Sequence, residues 1–520
     1  MTRSLKGEIF RNMARCFWII TFISLICTKG SEGQASGLQR FPDGFLLGAA
    51  SASYQVEGAW NVSGKGVSTW DHFAHTMPER IADGSNGDIA CDSYNKYKED
   101  VQWIKSIGLD HYRFSLSWTR ILPNGFNTPV NQDGIRYYKS LLEELKAANI
   151  TTVVSLYHWD HPQILEEMGG WTNELMVRWF VDYAKVVFDN IGHLIDIVIT
   201  INEPKLLCQQ AYNSTWKAPG KVFNDMGHFF CVHNILKAHA KTWHMYDQEY
   251  RATQNGMIGF TTPVRGWVQG EGVTEETIER AFQFDCGWIM SPIYTGDYPE
   301  VMKTRIAERS ALQNYPFSRL PEFTDEWKKI IKGATDFFGL NHYTSSMPTF
   351  DPAEALGTFA SDTNIIGIAD PSWPSGASGW LHIVPEGIGN VLRKIKDTYG
   401  NPPVYMFENG VSDKGEIEDY VRINYYHDYI SEILTAIVRD GCDVKAYTAW
   451  TLLDNYEWEA GYTERFGILK VDFDSPNRTR SEKLSTHWWR EVLRTRTLID
   501  AREFTSHLRQ RRREGSTFEN

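Results

Sequence analysis

Asp196–Pro204 reads DIVITINEP. Ile197, Val198 and Ile199 form a β-branched run, the composition of a short strand buried on both faces. Pro204 has no N–H to offer a sheet, so the strand ends before it and leaves Asn202 and Glu203 at its exit. In a parallel barrel the carboxyl ends of the strands are where catalytic groups collect. A lone loop glutamate is ordinary surface chemistry. Whether Glu203 is more than that depends on what the rest of the chain places around it.

Working outward, seven more segments have the character of strands. Gly44–Gln55, His111–Trp118 and Thr151–Trp159 lie upstream. Gly256–Thr262, Asp336–Thr344, Pro403–Gly410 and Val444–Leu453 lie downstream. Helical apolar spacing separates them at Tyr94–Ile107, Gly134–Ala148, Asn173–Asn190, Phe229–Tyr250, Glu386–Tyr399 and Glu418–Asp440, and a last helix is predicted at Ser481–Arg494. Glu275–Asp336 is longer than one crossover needs and predicts extra helices. Asp351–Trp380, with Pro352, Pro371, Pro374 and Gly376, reads as loop. Strands alternating with helices imply parallel pairing and right-handed crossovers. Eight such units predict a single α/β domain over residues 38–497, a (β/α)8 TIM barrel with long βα loops. An open doubly wound sheet is the runner-up, disfavoured because no Gly-rich phosphate loop follows a strand.

The chain has 520 residues, a formal net charge of −12, 19 Trp, 24 Tyr and 27 Phe. An acidic chain is a poor nucleic-acid partner. Arg11 and Arg15 followed by Cys16–Cys27 (CFWIITFISLIC) read as a signal peptide ending within residues 1–35, and Met13 would serve as a start as well as Met1. The apolar run is short for a membrane span, and no later run supplies an anchor, so a secreted, extracellular protein is expected. Sequons at Asn61, Asn149, Asn213 and Asn477 agree with that route. Cys91, Cys208, Cys231, Cys286 and Cys442 follow the signal, an odd number. Cys208 and Cys231 are as readily two buried thiols as a disulfide. Residues 498–520, with the basic run His507–Arg513, are expected to be a disordered, dispensable tail.

The strand ends carry a list of polar and aromatic side chains: Gln55, His158 with Trp159, Asn202 with Glu203, Tyr343, Glu408 with Asn409, and Trp450. Glu457 and Trp458 follow just beyond. Such residues at nearly every strand end predict one pocket. Two carboxylates stand out, Glu203 and Glu408. A pair of this kind hydrolyses a glycosidic bond when one is protonated and the other ionised. Arg113, the one Arg within a predicted strand, is placed to hold one of them ionised. His158 and Asn202 suit sugar hydroxyls, and Trp450 suits a sugar face. A metal site finds little support: His158 and His161 in HWDH lack the spacing of a zinc motif. No GxSxG elbow points to a serine hydrolase.

These motifs, FPDGFLLGAASASYQVEGAW, YRFSLSWTRILPNG, LYHWDHPQ, TINEP, NHYT, ENG and WTLLDNYEWEAGYTERFG, resemble those of the family 1 glycoside hydrolases from about Phe41 to Trp489. The resemblance implies a β-glucosidase-like enzyme with Glu203 as acid/base and Glu408 as nucleophile. It implies that Gln55, His158, Asn202, Glu457 and Trp458 hold the glycone hydroxyls, with Trp450 beneath the ring. Tyr343 and Arg113 match positions that support the nucleophile, Trp159 supports the same pocket, and Trp380 matches an aglycone-side Trp. The implied partner is a small β-glycoside or oligosaccharide, with no metal or cofactor, and a homodimer is left open. Two departures stand: Phe407 replaces the usual Thr before the nucleophile, and Ile201 replaces a frequent Phe before Asn202. Each motif occurs once, so the chain is a single unit. Two other readings compete. One is a myrosinase-type thioglucosidase acting on glucosinolates. The other is a non-catalytic carbohydrate-binding or co-receptor protein, against which the presence of both Glu203 and Glu408 argues.

Overall fold

The computed structural model describes residues 40–351 and 359–506. The expected signal peptide, the run His507–Arg513 and part of the predicted loop Asp351–Trp380 lie outside them. Eight parallel strands close a barrel in chain order. They are β1 Leu46–Ala50, β2 His111–Ser115, β3 Thr151–Tyr157, β4 Ile197–Asn202, β5 Met257–Pro263, β6 Phe338–Asn341, β7 Val404–Asn409 and β8 Val444–Trp450. β1 closes the ring by pairing with both β8 and β2. Its small residues allow the close approach: a Cβ on Gly48 would stand 2.4 Å from the His111 carbonyl oxygen.

β4 is buried along its whole length, as its β-branched run requires. Val153, Ile197, Ile199, Phe337 and Phe407 meet as a cluster of their own inside the barrel, separate from the larger core between strands and helices. The helices lay one apolar face on the strands. Gln132–Ala147 buries Ile135, Tyr138, Leu141, Leu142 and Leu145, and Asn131 caps it by accepting from the Asp133 N–H at 3.2 Å. Each such fully buried aliphatic side chain contributes about 2 kcal/mol.

Six of the seven strands outside Asp196–Pro204 are shorter than predicted, and β5 is shifted by one residue. β1 stops at Ala50, and Gln55 sits on a short helix, Ser53–Val56, rather than at the strand end. β2 and β3 stop at Ser115 and Tyr157, and β6 at Asn341, so Trp159 and Tyr343 lie in the loops that follow. Polar loop backbone takes over where the ladder ends, a boundary that residue type alone does not mark. The predicted loop also contains order: Ile365–Ile368 pairs antiparallel with Ser345–Phe350. The four helices Glu275–Phe282, Trp288–Thr295, Glu300–Leu312 and Asp325–Ile331 fill the long crossover before β6. At the C-terminal end the expected tail begins too early. Leu498 and Ala501 are buried, residues 501–506 are helical, and Phe504 packs on the core.

Candidate active site

The two carboxylates stand at β-irregularities. On β4 the register with β5 shifts between Ile199 and Asn202. On β7 it shifts between Met406 and Glu408 against β6, and between Met406 and Asn409 against β8. A register shift breaks the strict in–out alternation and re-aims the next side chain. Phe407 can therefore fill the barrel interior while Glu408 faces the cleft above. Beyond β4, Glu203 adopts the left-handed conformation at φ 49° and begins the helix Pro204–Tyr212, with Pro204 at its first turn. Gly410 must be glycine, since a Cβ there would lie 2.0 Å from the Trp450 carbonyl oxygen.

Glu408 is 4% exposed and both its oxygens are held. Arg113 donates to Oε1 at 2.6 Å, and the Tyr343 hydroxyl donates to Oε2 at 2.7 Å. Arg113 spans the barrel: it also donates to the Phe407 carbonyl at 3.0 Å and to Asn202 Oδ1 at 2.7 Å. Its guanidinium lies over the Phe407 ring, 5.8 Å from the centroid. The departure at Phe407 thus gives Arg113 an aromatic floor and leaves the Arg113–Glu408 contact intact.

Glu203 is 5% exposed and has a different environment. Asn341 donates to its Oε1 at 2.8 Å, and no cation pairs with it directly among the described residues. Burial, and then the negative charge of Glu408, push its pKa up to about 8. This environment favours the protonated form of Glu203, whereas Glu408 has the Arg113 guanidinium 2.6 Å away. Two carboxylates with opposed environments are the arrangement that acid and nucleophile need.

Most of the other predicted residues converge on the same cleft, a cavity of about 460 Å³ lined by His158, Trp159, Asn202, Tyr343, Trp380, Trp450, Glu457 and Trp458 besides the two glutamates; Gln55 and Arg113 are fully buried and do not line it. His158 meets Asn202 Nδ2 at 3.1 Å and lies between Trp450 and Trp458, at 5.8 and 5.9 Å between centroids. Burial keeps its imidazole neutral. Gln55 Nε2 donates to the Tyr456 carbonyl at 2.9 Å and to Glu457 at 3.4 Å, while its buried Oε1 has no partner. Such an orphaned acceptor suits a ligand hydroxyl. The Trp159 indole donates to the Asn202 carbonyl at 2.9 Å, so Trp159 orients the strand end. His161 turns away from His158 and is held between Tyr157 at 2.9 Å and Glu166 at 3.0 Å.

Sequence reasoning missed Asn341, Lys205, Trp216, Lys217, Arg265 and Asp285, all of which line the cleft. Asn341 was in view as the first letter of NHYT, and Lys205 directly follows TINEP. Arg265 and Asp285 carry no local signal: they are brought in by the loop after β5 and by the long crossover.

A family model, "Glycosyl hydrolase family 1", matches residues 38–498. The chain belongs to glycosyl hydrolase family 1. Its closed eight-stranded barrel is the fold shared with that family's solved structures. Rat lactase/phlorizin hydrolase is 45% identical over 462 residues, which are 87% of this chain and 24% of that protein, so the chain spans about a quarter of that relative's length. Human cytosolic beta-glucosidase is 41% identical, across 88% of this chain and 99% of its own. The solved structure of an aphid myrosinase superposes with a TM-score of 0.85 at 41% identity, over 89% of this chain and 100% of that one. These relatives include one named as a β-glucosidase and one named as a myrosinase, so the likeness marks the family and leaves the bond to be cleaved to the site itself.

Proposed function

We propose that the protein is a glycosidase, a retaining, β-glucosidase-like enzyme that hydrolyses terminal non-reducing β-D-glycosyl residues by double displacement. The observation that carries this reading is the unlike pair Glu203 and Glu408 in one cleft, the first protonated by burial, the second clamped by Arg113 and Tyr343. Protonated Glu203 gives its proton to the leaving oxygen as Glu408 attacks the anomeric carbon, forming a glycosyl ester. Esterification removes the Glu408 charge, one of the two causes that raise the Glu203 pKa. Glu203 can then work as the base that takes a proton from the incoming water. Water attacks the anomeric carbon, the ester bond to Glu408 breaks, and the regenerated carboxylate pairs again with Arg113 and Tyr343. Gln55, His158, Asn202, Glu457 and Trp458 serve the glycone hydroxyls, and Trp450 its apolar face.

We also propose that the protein is secreted. A disulfide between Cys208 and Cys231 supports an oxidising compartment, and the sequon residues Asn61, Asn149 and Asn477 are exposed. No described helix is long and apolar enough to cross a membrane.

The test is a panel of aryl β-glucosides, β-galactosides and β-fucosides plus a glucosinolate, offered to purified protein, with the first-formed sugar anomer read by NMR. Hydrolysis of an aryl β-glycoside with the β anomer released first is expected. The α anomer appearing first would overturn retention. Glucosinolate turnover exceeding that of every O-glycoside would reassign the enzyme to the thioglucosidases, and sugar binding without turnover would leave a receptor.

A further inference from the structure

Arg265 stands two residues beyond β5, at the lip of the cleft. Val264 N–H donates to the Asn341 carbonyl at 3.0 Å, and Asn341 in turn holds Glu203. Lys205 lies two residues past Glu203 on the helix Pro204–Tyr212. Both cations are thus on the acid side of the cleft. The acid must face the oxygen that departs, so this side receives the leaving group. Gln55 and Glu457, which follow β1 and β8, are across the barrel from β5.

The charge balance on this side is incomplete. Asp285 is the near carboxylate, and it is already engaged: it pairs with Lys205 and accepts the Arg265 backbone N–H at 2.7 Å. The Arg265 guanidinium itself donates to a neutral group, the Ser346 hydroxyl, at 2.7 Å. Among the described residues it has no ion pair, although it is largely buried and burial lowers its pKa. A guanidinium partly withdrawn from water without an anion is left uncompensated. The same group is a planar fork that binds a carboxylate or sulfate through two parallel hydrogen bonds. Trp216 and Trp380, 68% and 47% exposed, also line this cleft and offer apolar faces to the body of such a ligand.

We propose that Arg265, assisted by Lys205, makes the leaving-group side of this cleft a site for aglycones that carry an anionic group. The proposal rests on the glycosidase reading above and narrows its substrate class.

The experiment compares glucosides matched in size and leaving-group basicity: para-(carboxymethyl)phenyl, para-(sulfomethyl)phenyl and the neutral para-(carbamoylmethyl)phenyl β-D-glucoside. The wild-type protein should favour an anionic member by about tenfold or more in kcat/KM at low salt, and the advantage should shrink as ionic strength rises. The carboxylate and sulfonate arms show which anion the fork prefers. In Arg265→Gln the anionic-to-neutral ratio should fall toward one, and Arg265→Lys should restore part of it. Equal kcat/KM for anionic and neutral substrates in the wild type, or a ratio that Arg265→Gln leaves unchanged, would overturn the proposal. Should Arg265→Gln fail to fold, the free para-hydroxyphenylacetate and its amide, tested as competing ligands of the wild type, decide the matter: equal affinity overturns it. Cleavage of the neutral glucoside without anionic preference defeats this inference alone. Cleavage of no glucoside defeats the glycosidase reading, and the two free ligands still test the anion site.

Discussion

Glu408 and Glu203 differ in what each can lose. On the proposed mechanism, position 408 without its carboxylate cannot form the glycosyl ester, so Glu408→Gln should abolish turnover on every substrate. Glu203→Ala removes the acid, which matters most for a basic leaving group. That variant should be crippled on alkyl glucosides yet still be glycosylated by an activated dinitrophenyl glucoside. The intermediate then accumulates for want of a base, and added azide should release it as the β-glycosyl azide. Mass spectrometry of the trapped ester and NMR of the azide check both roles; azide rescue of neither variant would remove the assignment. The raised pKa of Glu203 has a second consequence. Its unfolded-state pKa lies near 4.3, and its folded value is about 8. Between those values the folded state binds the extra proton, so folding stability falls as pH rises through that window. Glu203→Gln carries no such proton. It should gain stability over the wild type as pH goes from about 4.3 toward 8, by at most a few kcal/mol. Thermal melts at pH 4 and pH 8 test this, and a melting difference independent of pH would contradict it.

At the scale of elements, the helix Pro204–Tyr212 has the proposed acid, Glu203, at its N-cap and a crosslink near its middle. Cys208 is bonded to Cys231 on the helix Gly227–Glu249, with a sequence separation of 23. A loop of that length removes about 3 kcal/mol of chain entropy from the unfolded state. Replacing both cysteines by alanine should lower stability by about that amount. It should also loosen the helix that positions Glu203 and Lys205, reducing kcat for poor leaving groups more than for activated ones. Denaturant unfolding and kcat for the two substrate types give the readout; an unfolding midpoint equal to the wild type's would show that the crosslink contributes nothing. Cys91, Cys286 and Cys442 remain as buried thiols, so the protein needs no intermolecular bridge to satisfy them.

For the whole molecule, the barrel unit reaches further toward the C-terminus than the basic composition of that region suggests. Leu498, Ala501 and Phe504 pack on the core. Truncation after Ser506 should leave activity and melting temperature within experimental error of the full chain. Truncation after Arg502 removes Phe504 and should lower the melting temperature by a few degrees. Equal melting of the two truncations would place the boundary back before residue 503.

The amino-acid sequence by itself determined the eight-fold alternation of apolar runs and amphipathic helices, and with it a parallel barrel. Periodicity and burial are local properties of residue types, so Ile197–Ile199 and Glu386–Tyr399 were legible with almost the right bounds. It also named Glu203, Glu408 and the aromatic and amide residues around them, because each sits in or beside a strand-end motif. The family resemblance already tied Arg113 to Glu408; only the tertiary structure showed that contact and left Glu203 to burial, for that depends on side chains far apart in the chain meeting across the barrel. It decided that Cys208 and Cys231 are bonded, which composition left even. It also placed Arg265 on the wall of the cleft with no ion pair among the described residues, on a loop whose letters say nothing about where it goes. Desolvation and charge pairing are sums over neighbours in space, and a linear sequence lists only neighbours along the chain.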